Sequence, residues 1–111
     1  MKYDIIIIGA GPTGIFTALE LLETKKKLNI LILEKGNRIE DRVCPKRTTN
    51  KCVNCDPCNI TNGFSGAGAF SDGKLTFSTD TGGQLKEYIS KDELKKMSDY
   101  VDSIYYSTSF S

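Results

Sequence analysis

"DIIIIGAGPTG", residues 4–14, decides the fold. Tyr3 to Ile8 is a nearly continuous apolar run of β-branched residues, the pattern of a strand buried on both faces, as in a parallel sheet. The run stops at Gly9, and from Thr13 the period changes. Ile15, Ala18, Leu19 and Leu22 fall at i, i+3, i+4 and i+7, one face of a helix. Lys25, Lys26 and Lys27 follow where a helix C-terminus favours positive charge. Ile30 to Leu33 is a second apolar run, closed by Glu34 and the turn signal Gly36-Asn37. Strand, helix and strand within about thirty residues predict a right-handed βαβ unit, and so the α/β class with a parallel sheet.

Gly9, Gly11 and Gly14 form G-x-G-x-x-G between the first strand and the helix. Each glycine has its own task in a dinucleotide loop: the sharp turn, the approach of backbone to a pyrophosphate, and close helix–sheet packing. Pro12 fits the first helical turn, where its missing N–H costs nothing, and Thr13 completes the loop. The helix N-terminus offers unpaired N–H groups and the positive end of its dipole to phosphate. Glu34 stands twenty residues after Gly14, where a carboxylate accepts hydrogen bonds from the adenosine ribose and repels a 2′-phosphate. This favours FAD or NAD over NADP. The alternative is an ordinary glycine turn that packs a helix, with Glu34 solvated.

Around this unit lies a chain of 111 residues with a formal charge of +1. No strong field points to nucleic acid or an anionic membrane. The opening apolar run is far shorter than the roughly 20 residues of a membrane span, and no signal-peptide pattern accompanies it. A reducing cytoplasm is the expected setting. There, four cysteines more often mean metal or thiol chemistry than structural disulfides.

Residues 37–64 change character, with Pro45, Pro57 and all four cysteines, Cys44, Cys52, Cys55 and Cys58. Irregular excursions of that length are usually functional or disordered. "GFSGAGAFSDGKLTF", residues 63–77, reads as a glycine-rich loop leading into a short strand at Leu75 to Ser78. A last helix is predicted from Ser90, because Ser90 and Glu93 have capping-box spacing and Leu94, Met97, Val101 and Ile104 form an apolar stripe. After Tyr106 the ending "STSFS" is aperiodic.

The stretch from Asp4 to Gly36 resembles the N-terminal fingerprint of FAD-dependent oxidoreductases of the glutathione-reductase-like fold, in which Glu-Lys, here Glu34-Lys35, is common after the second strand. NAD-binding domains share the glycines, so FAD is what the resemblance implies. "CPKRTTNKCVNCDPCNITNGFSGAGAFSDGKLTFSTDTGG" is similar to the segment that follows in a family of prokaryotic FAD-dependent dehydrogenases with a cysteine-containing insert. The resemblance covers about residues 3 to 104. It assigns "SGAGAFSDGK" to the flavin side of the pocket. Gly66, Ala67 and Gly68 would bring backbone N–H groups to the cofactor, with Ser71 and Lys74 as further donors. A glycine-rich turn with Asp72-Gly73 as its corner is the alternative.

Family members are several times longer, so the chain looks like an N-terminal piece of an FAD-binding domain. Its parts are the βαβ unit at 1–36, a cysteine-rich insert at 37–64 and a flavin-loop segment with a helix at 65–111. The implied whole enzyme is an oxidoreductase of unknown substrate and electron donor. A non-catalytic nucleotide- or metal-binding module is the competing reading. For Cys44, Cys52, Cys55 and Cys58 three roles stand open: zinc or iron–sulfur ligation, a C-x-x-C pair exchanging electrons with flavin, and simple packing.

Overall fold

The computed structural model describes residues 1–24 and 26–108. Lys25, read above as helix-terminal charge, lies outside them, as do residues 109–111 of the aperiodic ending. The chain forms two units, Met1–Asp72 and Gly73–Ser111.

In the first unit β1 (Ile5–Ile8) and β2 (Ile30–Leu33) pair in parallel, with Ile5 opposite Ile30 and Ile8 opposite Leu33. The ladder is extended at one end by Asp4 N–H to the Asn29 carbonyl at 2.9 Å, and at the other by Gly9 N–H to Leu33 at 2.7 Å. The helix α1 (Pro12–Glu23) joins the strands and starts, as Pro12 predicts, at its first residue. Gly14 marks where helix meets strand: a Cβ there would overlap the Gly9 carbonyl and lie 3.3 Å from Ile7 Cγ2.

Burial departs from the expected pattern in two places. Ile5 and Ile7 are half-buried, whereas Ile6 and Ile8 are 56% and 86% exposed. β1 therefore buries one face rather than two, because α1 covers one side of a two-stranded sheet. On α1, Ala18 is buried and Ile15 and Leu19 are half-buried, but Leu22 is exposed in the last turn. The helix stops at Glu23, with Thr24 bonding back to the Leu21 carbonyl through both its N–H and its hydroxyl, so Lys26 and Lys27 lie beyond it and do not cap its dipole.

The insert is ordered by polar contacts. It carries a 3₁₀ turn at Ile39–Asp41 and the single-turn α2 (Lys46–Thr49). A second 3₁₀ turn at Gly66–Phe70 follows it.

In the second unit, Leu75 to Ser78 is not a strand. A strand is completed by a ladder, and the sheet among the described residues is the β1–β2 pair alone. Past a 3₁₀ turn at Leu85–Glu87, α3 (Lys91–Thr108) carries the capping box as predicted. The Ser90 N–H and hydroxyl donate to Glu93 Oε2 at 3.1 and 2.8 Å, and the Glu93 N–H donates to Ser90 Oγ at 3.2 Å. These bonds, the hydroxyl's first, hold the Glu93 carboxyl below the usual carboxylate range. Leu94, Val101 and Ile104 are half-buried while Met97 is exposed, and the helix runs two residues past Tyr106. Among the described residues no helix is long and apolar enough to cross a membrane.

Candidate functional site: a cavity at the strand ends

A cavity of about 340 Å³ opens at the C-terminal ends of β1 and β2, where open α/β sheets bind ligands. Ile8, Gly9 and Gly11 line it from the first strand and its loop, Leu33, Glu34 and Lys35 from the second, and Thr61, Asn62, Gly63 and Gly66 from the chain beyond the cysteines. Residues far apart in sequence thus share one site.

Glu34 ties these segments together. Its Oε2 accepts the Ala10 N–H at 2.8 Å, and its Oε1 accepts the N–H groups of Gly36 at 2.8 Å and Gly63 at 3.0 Å. The Ala10 bond first, then that of Gly36, draws the carboxyl below its ordinary range, against a smaller opposing effect of burial. A carboxylate has about four acceptor positions. Three are taken, two on Oε1 and one on Oε2, and the Lys35 N–H also acts on the carboxylate, so Oε2 is the less occupied oxygen.

The glycine loop has the form of a cradle. No atom lies within 4 Å of where a Cβ at Gly9 or Gly11 would stand, while Gly11 itself is in extended backbone open to any residue. The space above both is therefore available to a ligand. Gly66 lies against the loop, 3.6 Å from Gly11 Cα and Pro12 Cδ when given a Cβ, and the Ser65 N–H donates to the Ala10 carbonyl at 2.7 Å.

Of the residues singled out from sequence, Gly9, Gly11, Glu34, Lys35 and Gly66 meet in the cavity. Pro12 does not line it, Gly14 sits at the helix–strand contact, and Thr13 is exposed on α1. Ala67 and Gly68 belong to the 3₁₀ turn and do not line the cavity; Ser71 closes that turn through its N–H to Gly68 at 3.1 Å. Lys74 belongs to the second unit.

The four cysteines form no disulfide. Among the described residues, no three Cys, Asp or Glu side chains come together as a ligand set, so the four are not gathered into a metal centre. Cys52 and Cys55 are exposed, and the Cys52 thiol lies 3.5 Å from Asn54 Oδ1. The Cys58 thiol is drawn below its ordinary value by the N–H of Ile60, then by the N–H and hydroxyl of Thr61.

Sequence reading missed Thr61, Asn62 and Gly63 as cavity wall, and Ile8 and Leu33 as its apolar part. It also missed Arg42. At 3% exposure Arg42 is the buried charge among the described residues. In "NRIEDR" it looks like one more surface ion, and no periodicity marks it.

The FAD-NAD(P)-binding family matches residues 6–94. A protein of Clostridium beijerinckii is 38% identical over 78 residues, 68% of this chain and 14% of that protein. The digeranylgeranylglycerophospholipid reductase of Methanosarcina mazei is 40% identical over 53 residues, 47% of this chain and 12% of the reductase. The mitochondrial electron transfer flavoprotein-ubiquinone oxidoreductase of Dictyostelium discoideum is 33% identical over 46 residues, 38% and 8% of the two chains. The chain thus spans less than a fifth of the length of these curated relatives. No solved structure matches.

Proposed function

The chain belongs to the FAD-NAD(P)-binding family, and from that premise we propose that it is the nucleotide-binding part of a flavin-dependent oxidoreductase of the glutathione-reductase-like kind, with FAD at the glycine loop. The observation that carries this reading is the open space over Gly9 and Gly11 beside the carboxylate of Glu34. The similarity to a reductase and to a flavoprotein oxidoreductase supports the flavin choice.

The residues fit the adenosine and pyrophosphate end of the cofactor. Backbone close to Gly11 and the N-terminus of α1 suit the pyrophosphate. The less occupied Oε2 of Glu34 takes one ribose hydroxyl, and Ile8 and Leu33 offer apolar surface to the base. The cavity is at the lower end of the roughly 300–1,000 Å³ of small-molecule sites, which suits one end of a dinucleotide. When bound, the flavin supplies the hydride and electron chemistry; the chain binds and orients it.

Gly11 gives the sharpest test. A Cβ at Gly11 meets nothing beyond its chain neighbours, and Gly11→Val carries two further methyl groups into the ligand space, so its far-UV circular dichroism should match wild type while FAD uptake, read from visible absorbance after gel filtration, is lost. Uptake equal to wild type in Gly11→Val, or none by the folded wild-type chain, would sink the assignment. ADP competing with FAD would place the adenosine end in the cavity; NAD bound in its place would reassign the cofactor.

A further inference from the structure

We infer that Arg42 is a positioning residue for the cofactor: its buried guanidinium sets the Thr61–Gly63 wall of the nucleotide cavity. This rests on the reading of the cavity as the FAD site. Arg42 does not line the cavity itself.

Three donors of one planar group fan out to three backbone carbonyls. Nε donates to Asn59 at 2.8 Å, and the two terminal nitrogens donate to Ile60 and Phe64, each at 2.7 Å. The Ile60 and Phe64 carbonyls flank the triplet Thr61, Asn62 and Gly63, so both ends of the wall are fixed to one rigid fork. The guanidinium carbon stands 4.7 Å from the centre of the Phe70 ring, which compensates further for burying the charge.

The stem of Arg42 bears on the wall as well. A Cβ at Gly63 would come within 2.7 Å of Arg42 Cδ and 2.9 Å of Nε. Gly63 in turn donates its N–H to Glu34, whose other oxygen holds Ala10 in the glycine loop. The contacts therefore run from Arg42 through Gly63 and Glu34 to the loop on which the pyrophosphate would rest. Asn59 adds a second tie, with its amide donating to the Val43 carbonyl at 2.9 Å. A lysine cannot reproduce this arrangement, because a single ammonium reaches neither three divergent carbonyls nor the ring face in the same way.

The test uses the full chain. FAD affinity is measured by equilibrium dialysis for wild type, Arg42→Ala, Arg42→Lys and Phe70→Leu, with amide hydrogen exchange recorded without nucleotide. Losing charge-assisted bonds that fix the wall predicts binding weaker by about tenfold or more in Arg42→Ala. Exchange should quicken at Thr61 to Gly63 while α1 keeps its protection. Millimolar ethylguanidine should restore affinity to Arg42→Ala, and Arg42→Lys should remain weak. Phe70→Leu leaves the three carbonyl acceptors in place but removes the ring against which the guanidinium is held, so the fork loosens and the variant should bind FAD measurably more weakly than wild type even where Arg42→Ala fails to fold.

Wild-type affinity in Arg42→Ala would overturn the inference. So would a loss that ethylguanidine leaves unchanged and that comes with faster exchange throughout the chain, the mark of general destabilisation; if Arg42→Ala does not fold, wild-type affinity in Phe70→Leu overturns it. Failure of folded wild type to take up FAD or ADP overturns the cofactor reading along with it. Uptake by wild type with indifference to Arg42 overturns this inference alone.

Discussion

Changing Glu34 to glutamine keeps shape and volume but asks one amide to do the work of a carboxylate. Three N–H donors converge on the native side chain, from Ala10, Gly36 and Gly63. Glutamine's best orientation places its oxygen at the Oε1 position and keeps Gly36 and Gly63, turning its NH₂ toward the Ala10 N–H. The opposite orientation sets NH₂ against two donors and is worse. At least one charge-assisted bond becomes a donor–donor contact, a loss of about 1.5–3 kcal/mol, and Glu34's partial exposure places the expectation toward the lower figure. The two retained bonds also weaken, since a neutral acceptor is roughly half as strong.

The readout is urea denaturation followed by far-UV circular dichroism, compared with wild type. The pH dependence supplies an internal check. The folded carboxyl lies below its ordinary 4.5. Its stabilisation is therefore complete above that value and is lost as pH falls through the lower folded value. Wild type should lose its advantage over Glu34→Gln in that acid window. A Glu34→Gln chain within about 0.5 kcal/mol of wild type at neutral pH, with a parallel acid profile, would refute the clamp.

Gly14→Ala should destabilise by about 1–3 kcal/mol or prevent folding, because its Cβ meets the Gly9 backbone; a wild-type urea midpoint would contradict that contact. Gly63→Ala should cost a similar amount, about 1–3 kcal/mol, since φ is +114° and the Cβ meets Arg42, and the same titration checks it. Ser90→Ala should speed amide exchange at Glu93 by about fivefold, the effect of a typical cap, without altering β1. Alkylation of Cys58 by iodoacetamide should rise through a midpoint below the ordinary thiol value of 9.0, and Thr61→Val should move that midpoint upward; a wild-type midpoint at or above 9.0 would contradict the thiolate contacts.

The βαβ unit was legible because each of its signals is local. Ile30 to Leu33 appears as the strand, Pro12 starts α1, and Ser90 caps α3 through the bonds its spacing predicts. Leu75 to Ser78 failed for a physical reason: an apolar run makes a strand only where a neighbour supplies the ladder, and sequence does not name neighbours. Lys26 and Lys27 failed because Thr24 ends the helix first. Of the candidate site, Gly9, Gly11 and Glu34 were visible from spacing. That Glu34 spends most of its acceptor capacity on the protein was not, since two of its three partners are backbone N–H groups of residues reached only by folding.

The cysteine spacing drew attention to the insert, yet the organising residue there is Arg42. Among the described residues the buried apolar side chains are two alanines, Ala10 and Ala18. Two methyl groups cannot hold a long irregular segment against its conformational entropy. Directional bonds do that work in the insert: Arg42 binds three carbonyls, Asn59 binds Val43, and Glu34 gathers three N–H groups. Such bonds fix position as well as proximity, which apolar contact alone does not. A ligand site needs backbone held to a fraction of an ångström, and just past the insert Ser65 and Gly66 lie against the glycine loop. The segment between β2 and the 3₁₀ turn at Gly66–Phe70 thus supplies one wall of the cavity, through Thr61, Asn62 and Gly63.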